Sequence, residues 1–241
     1  MDDIIFISYS ESNADENWEK LIKVFPYAKR IRNVKGIYNA YISAANLAQT
    51  EYFYIVDADN VIKSDFKFDF IPKDSTIGTY IWQAENAVNA LVYGYGGVKL
   101  YKRSDLLGLN APSSLSDDNP MSFMNKHDFP ISDKFKFIPQ VASVTAFNAS
   151  PFDAWKAAFR ECCKLSAFNK YLNLSSTQKE EASERLRIWT TVGHQKPYGE
   201  WVILGAKEGK LFGLKYIDNI NILSLINNYN FLTYLFTEKY S

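Results

Sequence analysis

GIYNAYISAANLAQTEYFYIVDADN, residues 36–60, is the stretch on which the reading of the fold turns. Its second half is an apolar run, Tyr52-Phe53-Tyr54-Ile55-Val56, that leads straight into Asp57-Ala58-Asp59. A short run rich in aromatic and β-branched residues predicts a buried strand. The first half carries Ile37, Ala40, Tyr41, Ala44, Leu47 and Ala48 on one face at helical spacing, which predicts a helix opened by Gly36. In an open parallel sheet, ligands bind beyond the carboxyl ends of the strands, so two carboxylates there stand where a site is expected. Alternate residues of an extended segment point the same way, so Asp57 and Asp59 can share a target. Converging carboxylates suit Mg²⁺ or Mn²⁺, hard cations that take oxygen ligands and bridge phosphates. An isolated Asp-x-Asp is more simply a solvated turn. Its place after the third strand of a β-α-β-α-β unit favours the functional reading.

Upstream, Ile4-Ile5-Phe6-Ile7 predicts a strand that ends in the polar run Ser8 to Asn13. Trp18, Leu21, Ile22 and Phe25 mark a helix stopped by Pro26. Residues 28–34, with Arg30, Arg32 and Asn33, alternate as a strand near an edge does. This order calls for parallel strands joined by right-handed crossovers. Downstream, residues 76–82 and 98–101 predict further strands, the second after the turn-rich Tyr93-Gly94-Tyr95-Gly96-Gly97. Residues 109–134 read as a long loop, and 135–147 as a strand. Ser150 and Pro151 predict an N-cap and first helical position for a helix to about residue 169, with mainly helices from 177 onward. The expected class is α/β: a Rossmann-like, mostly parallel mixed sheet flanked by helices, with a helical C-terminal portion.

Lysine plus arginine equal aspartate plus glutamate at 27 each, a balance that argues against a sequence-blind polyanion binder. Cys162 and Cys163 are helical neighbours that bridge poorly, which predicts free thiols and a reducing compartment. No secretory signal pattern and no apolar run of bilayer length is present, so a soluble, cytoplasmic protein without a membrane span is expected. No Cys/His spacing suggests zinc, and no Gly-x-Ser-x-Gly suggests a hydrolase.

On the helix predicted from Pro151, Phe152, Trp155, Phe159, Cys162 and Cys163 fall in one sector, which predicts the core face. Glu161 lies beyond the polar stripe, beside Ala154, Ala157 and Leu165, and is the leading candidate for a general base. Asp133 and Arg160 complete the catalytic candidates, and Asp128 competes with them; a salt bridge from Glu161 to Arg160 or Lys164 on a solvated edge is the plainer reading. His127 and His194 are the two histidines.

Residues 36–60 resemble the glycosyltransferase A-type fold, in which an Ala- and Asn-rich helix leads to a strand ending in Asp-x-Asp. The resemblance implies a nucleotide-sugar-binding half over residues 1–105, with residues 106–241 supplying the acceptor side within the same globular unit. It implies that Asp59 binds the metal, Mn²⁺ or Mg²⁺, that bridges the donor diphosphate. Asp57 would contact the ribose or the metal's shell. Ser8 and Tyr9 would border the nucleoside, with Lys35 and Asn39 near it. Gly96 and Gly97 would border the transferred sugar, and His194 would complete the metal shell. Many members place an acidic residue after the second strand to hold the base; here that region reads Arg30-Ile31-Arg32-Asn33.

Three later segments, YGYGGVKLY (93–101), SVTAFNASPFDAWKAAFRECCKLS (143–166) and RLRIWTTVGHQKPYGEWVILGAKEGKLFG (185–213), are similar to small phage-encoded A-type enzymes. Those are linked to modified pyrimidines in DNA and related to the base-J-type DNA glucosyltransferases. That similarity implies a UDP-sugar donor, a hydroxymethyl group on a DNA pyrimidine as acceptor, and the host cytoplasm as location. Transfer to a glycan, lipid-linked sugar or protein, and a non-catalytic nucleotide-sugar binding module, are the alternatives.

Overall fold

The computed structural model describes residues 1–94, 97–108, 135–171 and 174–240. Among them, residues up to Gly108 and from Phe135 to Phe147 form one compact unit, and those from Asn148 on form another. The expected loop at 109–134, with Asp128 and Asp133, lies outside the described residues, as does Gly96.

The first unit begins β1 (Asp3–Ser8), α1 (Ala14–Val24), β2 (Lys29–Arg32), α2 (Ile37–Leu47), β3 (Tyr52–Asp57), as the apolar runs predict. It continues β4 (Asn60–Ile62), β5 (Thr79–Asn86), β6 (Val92–Tyr93), β7 (Val98–Lys102), the short α3 (Arg103–Leu107) and β8 (Phe135–Thr145). The sheet order is β2-β1-β3-β7-β5-β8-β4, with β6 paired to β5. β1 is parallel to both β2 and β3, and β5 to β8. The β3–β7, β5–β7, β5–β6 and β4–β8 pairings are antiparallel. The expected mixed sheet is present: its β2-β1-β3 part is parallel, and beyond β3 antiparallel pairings predominate. The cause is connection length: the five residues between β5 and β6 allow only a hairpin return, and β7 continues from β6 in the same direction along β5.

β1 and β3 are buried on both faces, which is why they read as continuous apolar runs. Ile4, Phe6, Tyr54 and Val56 face α1 and the aromatic segment Phe66, Phe68 and Phe70, whereas Ile5, Ile7, Phe53 and Ile55 face Tyr41, Ala44 and Ala45 of α2. α1 and α2 thus cover opposite faces, and the strand order reverses at β1. At such a switch point the two connections leave the sheet in opposite directions and open a crevice beyond β1 and β3. Arg30, expected on an open edge, is nearly buried. Its guanidinium lies over Phe6 and Trp18, 2.6 Å from Asp15, and its Nε donates to Ser8 Oγ at 3.1 Å.

The second unit is helical among its described residues: α4 (Pro151–Tyr171), α5 (Ser176–Thr191), α6 (Gly199–Lys215), α7 (Ile220–Ser224), a 3₁₀ turn (Leu225–Asn227) and α8 (Tyr229–Tyr240). Ser150 Oγ accepts from the Asp153 amide at 3.0 Å, the predicted cap of α4. Trp155, Phe159, Cys162 and Cys163 are buried, and both cysteines are free thiols that burial pushes above the ordinary range. Gly205, Gly209 and Gly213 of α6 lie directly on the α4 backbone, at Trp155, Phe159 and Cys163. A Cβ at Gly209 would stand 2.1 Å from the Phe159 carbonyl oxygen, so the two helices approach only because that atom is missing. Gly209→Val should cost about 3 kcal/mol, a fall in melting temperature of roughly 10 °C. An unchanged melt would contradict this packing. No described helix is long and apolar enough to cross a membrane.

Candidate functional site

β1, β2 and β3 run parallel, so their carboxyl ends share one edge of the sheet. That edge carries Ser8 and Tyr9 after β1, Lys35 and Asn39 at the start of α2, and Asp57 and Asp59 after β3. Gly97 joins them, because the residue preceding antiparallel β7 accepts the Asp57 amide on its carbonyl at 2.8 Å. The described members of the expected nucleotide set therefore lie along one edge of the sheet. Tyr9, Lys35 and Asn39 are exposed, and Asn39 Nδ2 donates to the Lys35 carbonyl at 3.1 Å in the first turn of α2. Ser8 Oγ donates to the Ile31 carbonyl at 3.3 Å.

The acidic pair is not held as alternate strand residues. β3 ends at Asp57, and Ala58 and Asp59 form a turn into β4. Each residue of that turn is pinned separately. Asn17 of α1, itself buried, donates its amide to the Ala58 carbonyl at 2.8 Å. The Asp59 carbonyl accepts from the Ala146 amide at 2.7 Å. Asn60 Nδ2 donates to Asp59 Oδ1 at 2.7 Å, while Asn60 Oδ1 accepts from Ser143 Oγ at 2.8 Å and Thr145 Oγ1 at 3.0 Å. Gly97 makes room for this amide, since a Cβ there would lie 1.9 Å from Asn60 Cγ and Nδ2.

Asp57 meets a partner that the sequence reading did not include. Lys99 of β7 is buried, and its Nζ lies 2.6 Å from Asp57 Oδ2 and 3.0 Å from the Tyr41 hydroxyl. Asp57 Oδ1 is buried and accepts no hydrogen bond among the described residues. Asp59 is partly buried. Burial, with Asp57 and Glu11 adding their negative fields, pushes its carboxyl from the ordinary 3.8 up to about 7, against the opposing pull of Lys99 and Asn60. Glu11 was also not anticipated; its carboxylate accepts from the Tyr9 amide at 2.8 Å, which folds the post-β1 loop back toward the pair.

A carboxyl raised in this way binds a proton, or a cation in its place. Between about pH 4 and 7 the folded chain keeps a proton on Asp59 that the unfolded chain has released. That stability is fully present below pH 4 and is lost as pH rises through about 7. Cation binding runs the other way. Below about pH 7 a cation at Asp59 would have to displace the proton, so if the pair takes Mn²⁺ its affinity would fall roughly tenfold for each unit that pH drops below 7 and be level above it. Affinity flat between pH 5 and 8 would contradict the assignment.

The donor set suits a hard divalent cation in part. Asp57 and Asp59 each present an oxygen that the described protein leaves unused, but no group of three or more His, Cys, Asp or Glu is close enough to hold a metal among the described residues. A cation there would need further oxygens from a ligand or water.

The other candidates belong to the helical unit. Arg160 is engaged structurally: its Nε donates to the Ile226 carbonyl and its Nη2 to Asn227 Oδ1, both at 3.0 Å, which ties α4 to the 3₁₀ turn. Glu161 is partly buried on α4, and His194 is exposed in the turn after α5. Comparison with known proteins gives no matching family model and no matching curated protein.

Proposed function

We propose that the chain is an A-type glycosyltransferase that moves a sugar from a nucleoside-diphosphate donor to a hydroxyl acceptor, the hydroxymethyl group of a DNA pyrimidine. One observation carries the donor half: two carboxylates, each with an unused oxygen, are fixed at the last residue of β3 and in the pinned turn after it, at the strand-order reversal beyond β1 and β3. An open α/β sheet presents its ligand crevice there. The DNA acceptor rests on the resemblance of residues 93–101, 143–166 and 185–213 described above.

Each residue then has a task. Ser8 and Tyr9 border the nucleoside, and Lys35 and Asn39, at the amino end of α2, stand beside it. Asp57 and Asp59 would hold Mn²⁺ or Mg²⁺, which would supply positive charge for the diphosphate, with Asn60, Asn17 and Gly97 fixing the carboxylates in advance. Such preorganisation matters because groups already in place need not reorganise as charge develops on the departing diphosphate. A divalent cation bound there would offset that charge.

The test is a panel of radiolabelled nucleotide sugars, with Mn²⁺, against duplex DNA with and without hydroxymethylated pyrimidines. Label on the hydroxymethylated duplex alone supports the proposal. Label on a glycan or protein instead would replace the acceptor. Donor binding without turnover on any acceptor would make the chain a binding module, and absence of donor binding would overturn the reading.

A further inference from the structure

Lys99 occupies a position where a lysine is costly. The cross-strand row through β1, β3, β7 and β5 reads Ile5, Ile55, Lys99, Ile81, and it faces the α2 side of the core. An isoleucine at 99 would continue that row. A buried ammonium is tolerated only when paired, and replacing a buried ion pair with apolar groups is often neutral or stabilising. Its retention needs a cause other than stability.

The cause lies two residues along β3. The Lys99 ammonium reaches from its own rung to Asp57 Oδ2 at 2.6 Å, and the Tyr41 hydroxyl, 3.0 Å away, braces it from α2. It therefore takes one of Asp57's two oxygens and fixes the direction of the other. It also offsets one of the two negative charges of the pair. A bare dication arriving at Asp57 and Asp59 would meet one unused oxygen on each, a net charge near minus one from these three groups, and no third carboxylate, His or Cys in reach among the described residues.

We propose that Lys99 is a positioning residue that aims Asp57 and, as a resident cation, keeps the site from taking a divalent metal until a nucleoside diphosphate brings the remaining oxygens and charge. Metal and nucleotide then enter as one ligand, and the empty site does not trap metal. This rests on the nucleotide reading of the same edge.

The test is Mn²⁺ binding followed by electron paramagnetic resonance at about pH 8, with and without uridine diphosphate, on the folded wild-type chain, Lys99→Met and Lys99→Arg. In the wild type, uridine diphosphate should tighten Mn²⁺ at least roughly tenfold. Lys99→Met, which removes a charge next to a ligand carboxylate, should bind Mn²⁺ alone roughly tenfold more tightly than wild type. Lys99→Arg should behave as wild type. A lysine of merely structural importance would lower the melting temperature of Lys99→Met and leave its Mn²⁺ affinity unchanged, and that result overturns the proposal. Should Lys99→Met fail to fold, the wild-type arm decides: Mn²⁺ binding equally tight without the nucleotide overturns it. Failure of the nucleotide reading looks different. Uridine diphosphate would bind under no condition, while the bare Mn²⁺ comparison would still score Lys99.

Discussion

Asp59→Asn should abolish sugar transfer, by roughly a thousandfold or more, and yet leave a protein that melts higher than the wild type at pH 8. The two effects share one origin. The Asp59 carboxyl sits at about 7 because burial and the fields of Asp57 and Glu11 resist its charge. At pH 8 the wild-type fold carries that unfavourable charge, and the amide removes it. Discounted for its partial exposure, the relief is about 1–2 kcal/mol. Asparagine keeps an oxygen that can accept from Asn60 Nδ2, so the pinned turn survives. What disappears is the anionic ligand. A residue kept at a cost to stability and lost with activity alone is functional. Should Asp59→Asn instead melt lower at pH 8 and still turn over, Asp59 would be part of the scaffold. Activity is measured with the accepted donor, and stability by thermal melt in the absence of metal.

Gly97→Ala should lose ligand binding by the opposite route. The added Cβ would lie 1.9 Å from two atoms of the Asn60 amide. That side chain cannot swing aside cheaply, since it donates to Asp59 and accepts from Ser143 and Thr145 inside the protein. Displacing it breaks those bonds and leaves buried polar groups unpaired, for a loss of about 2–4 kcal/mol. It also frees Asp59 Oδ1 from Asn60 Nδ2, the donor that orients it among the described residues. Outer groups that orient metal ligands typically account for 10- to 100-fold in affinity, so Mn²⁺ and nucleotide binding should weaken by roughly that factor. Asp59→Asn and Gly97→Ala thus share a loss of binding and differ in the sign of their stability change. A Gly97→Ala protein with wild-type melt and wild-type binding would show that Asn60 has no part in holding the pair.

The parallel half of the fold was legible because its signals are local. Strands buried on both faces leave unbroken apolar runs, as at residues 4–7 and 52–56, and α2 shows its Ala-rich face at helical spacing. The position of the acidic pair followed from the strand that precedes it. Its geometry did not. Convergence of Asp57 and Asp59 was read from strand alternation, whereas the chain turns at Ala58, whose carbonyl is held by an asparagine of α1. Asn17, Asn60 and Lys99 act through contacts 41, 83 and 42 residues away, to Ala58, Ser143 and Asp57. Such pairings depend on strand register, which a single sequence does not display. Lys99 left little trace: a lysine between Val98 and Leu100 reads as the outward residue of a half-exposed strand, and its burial depends on α2 covering that face. Its acidic partner became visible only once β7 lay antiparallel on β3. The antiparallel pairings beyond β3 were likewise hidden in connection lengths rather than in the strands.

Calorimetric titration of uridine diphosphate into the wild-type protein, with Mn²⁺ and then with a chelator, addresses the central claim most directly. Saturable binding that requires Mn²⁺ and vanishes in Asp59→Asn is the predicted result. Binding indifferent to both the cation and Asp59, or no binding with Mn²⁺ present, would contradict a diphosphate site on the carboxyl edge of β3.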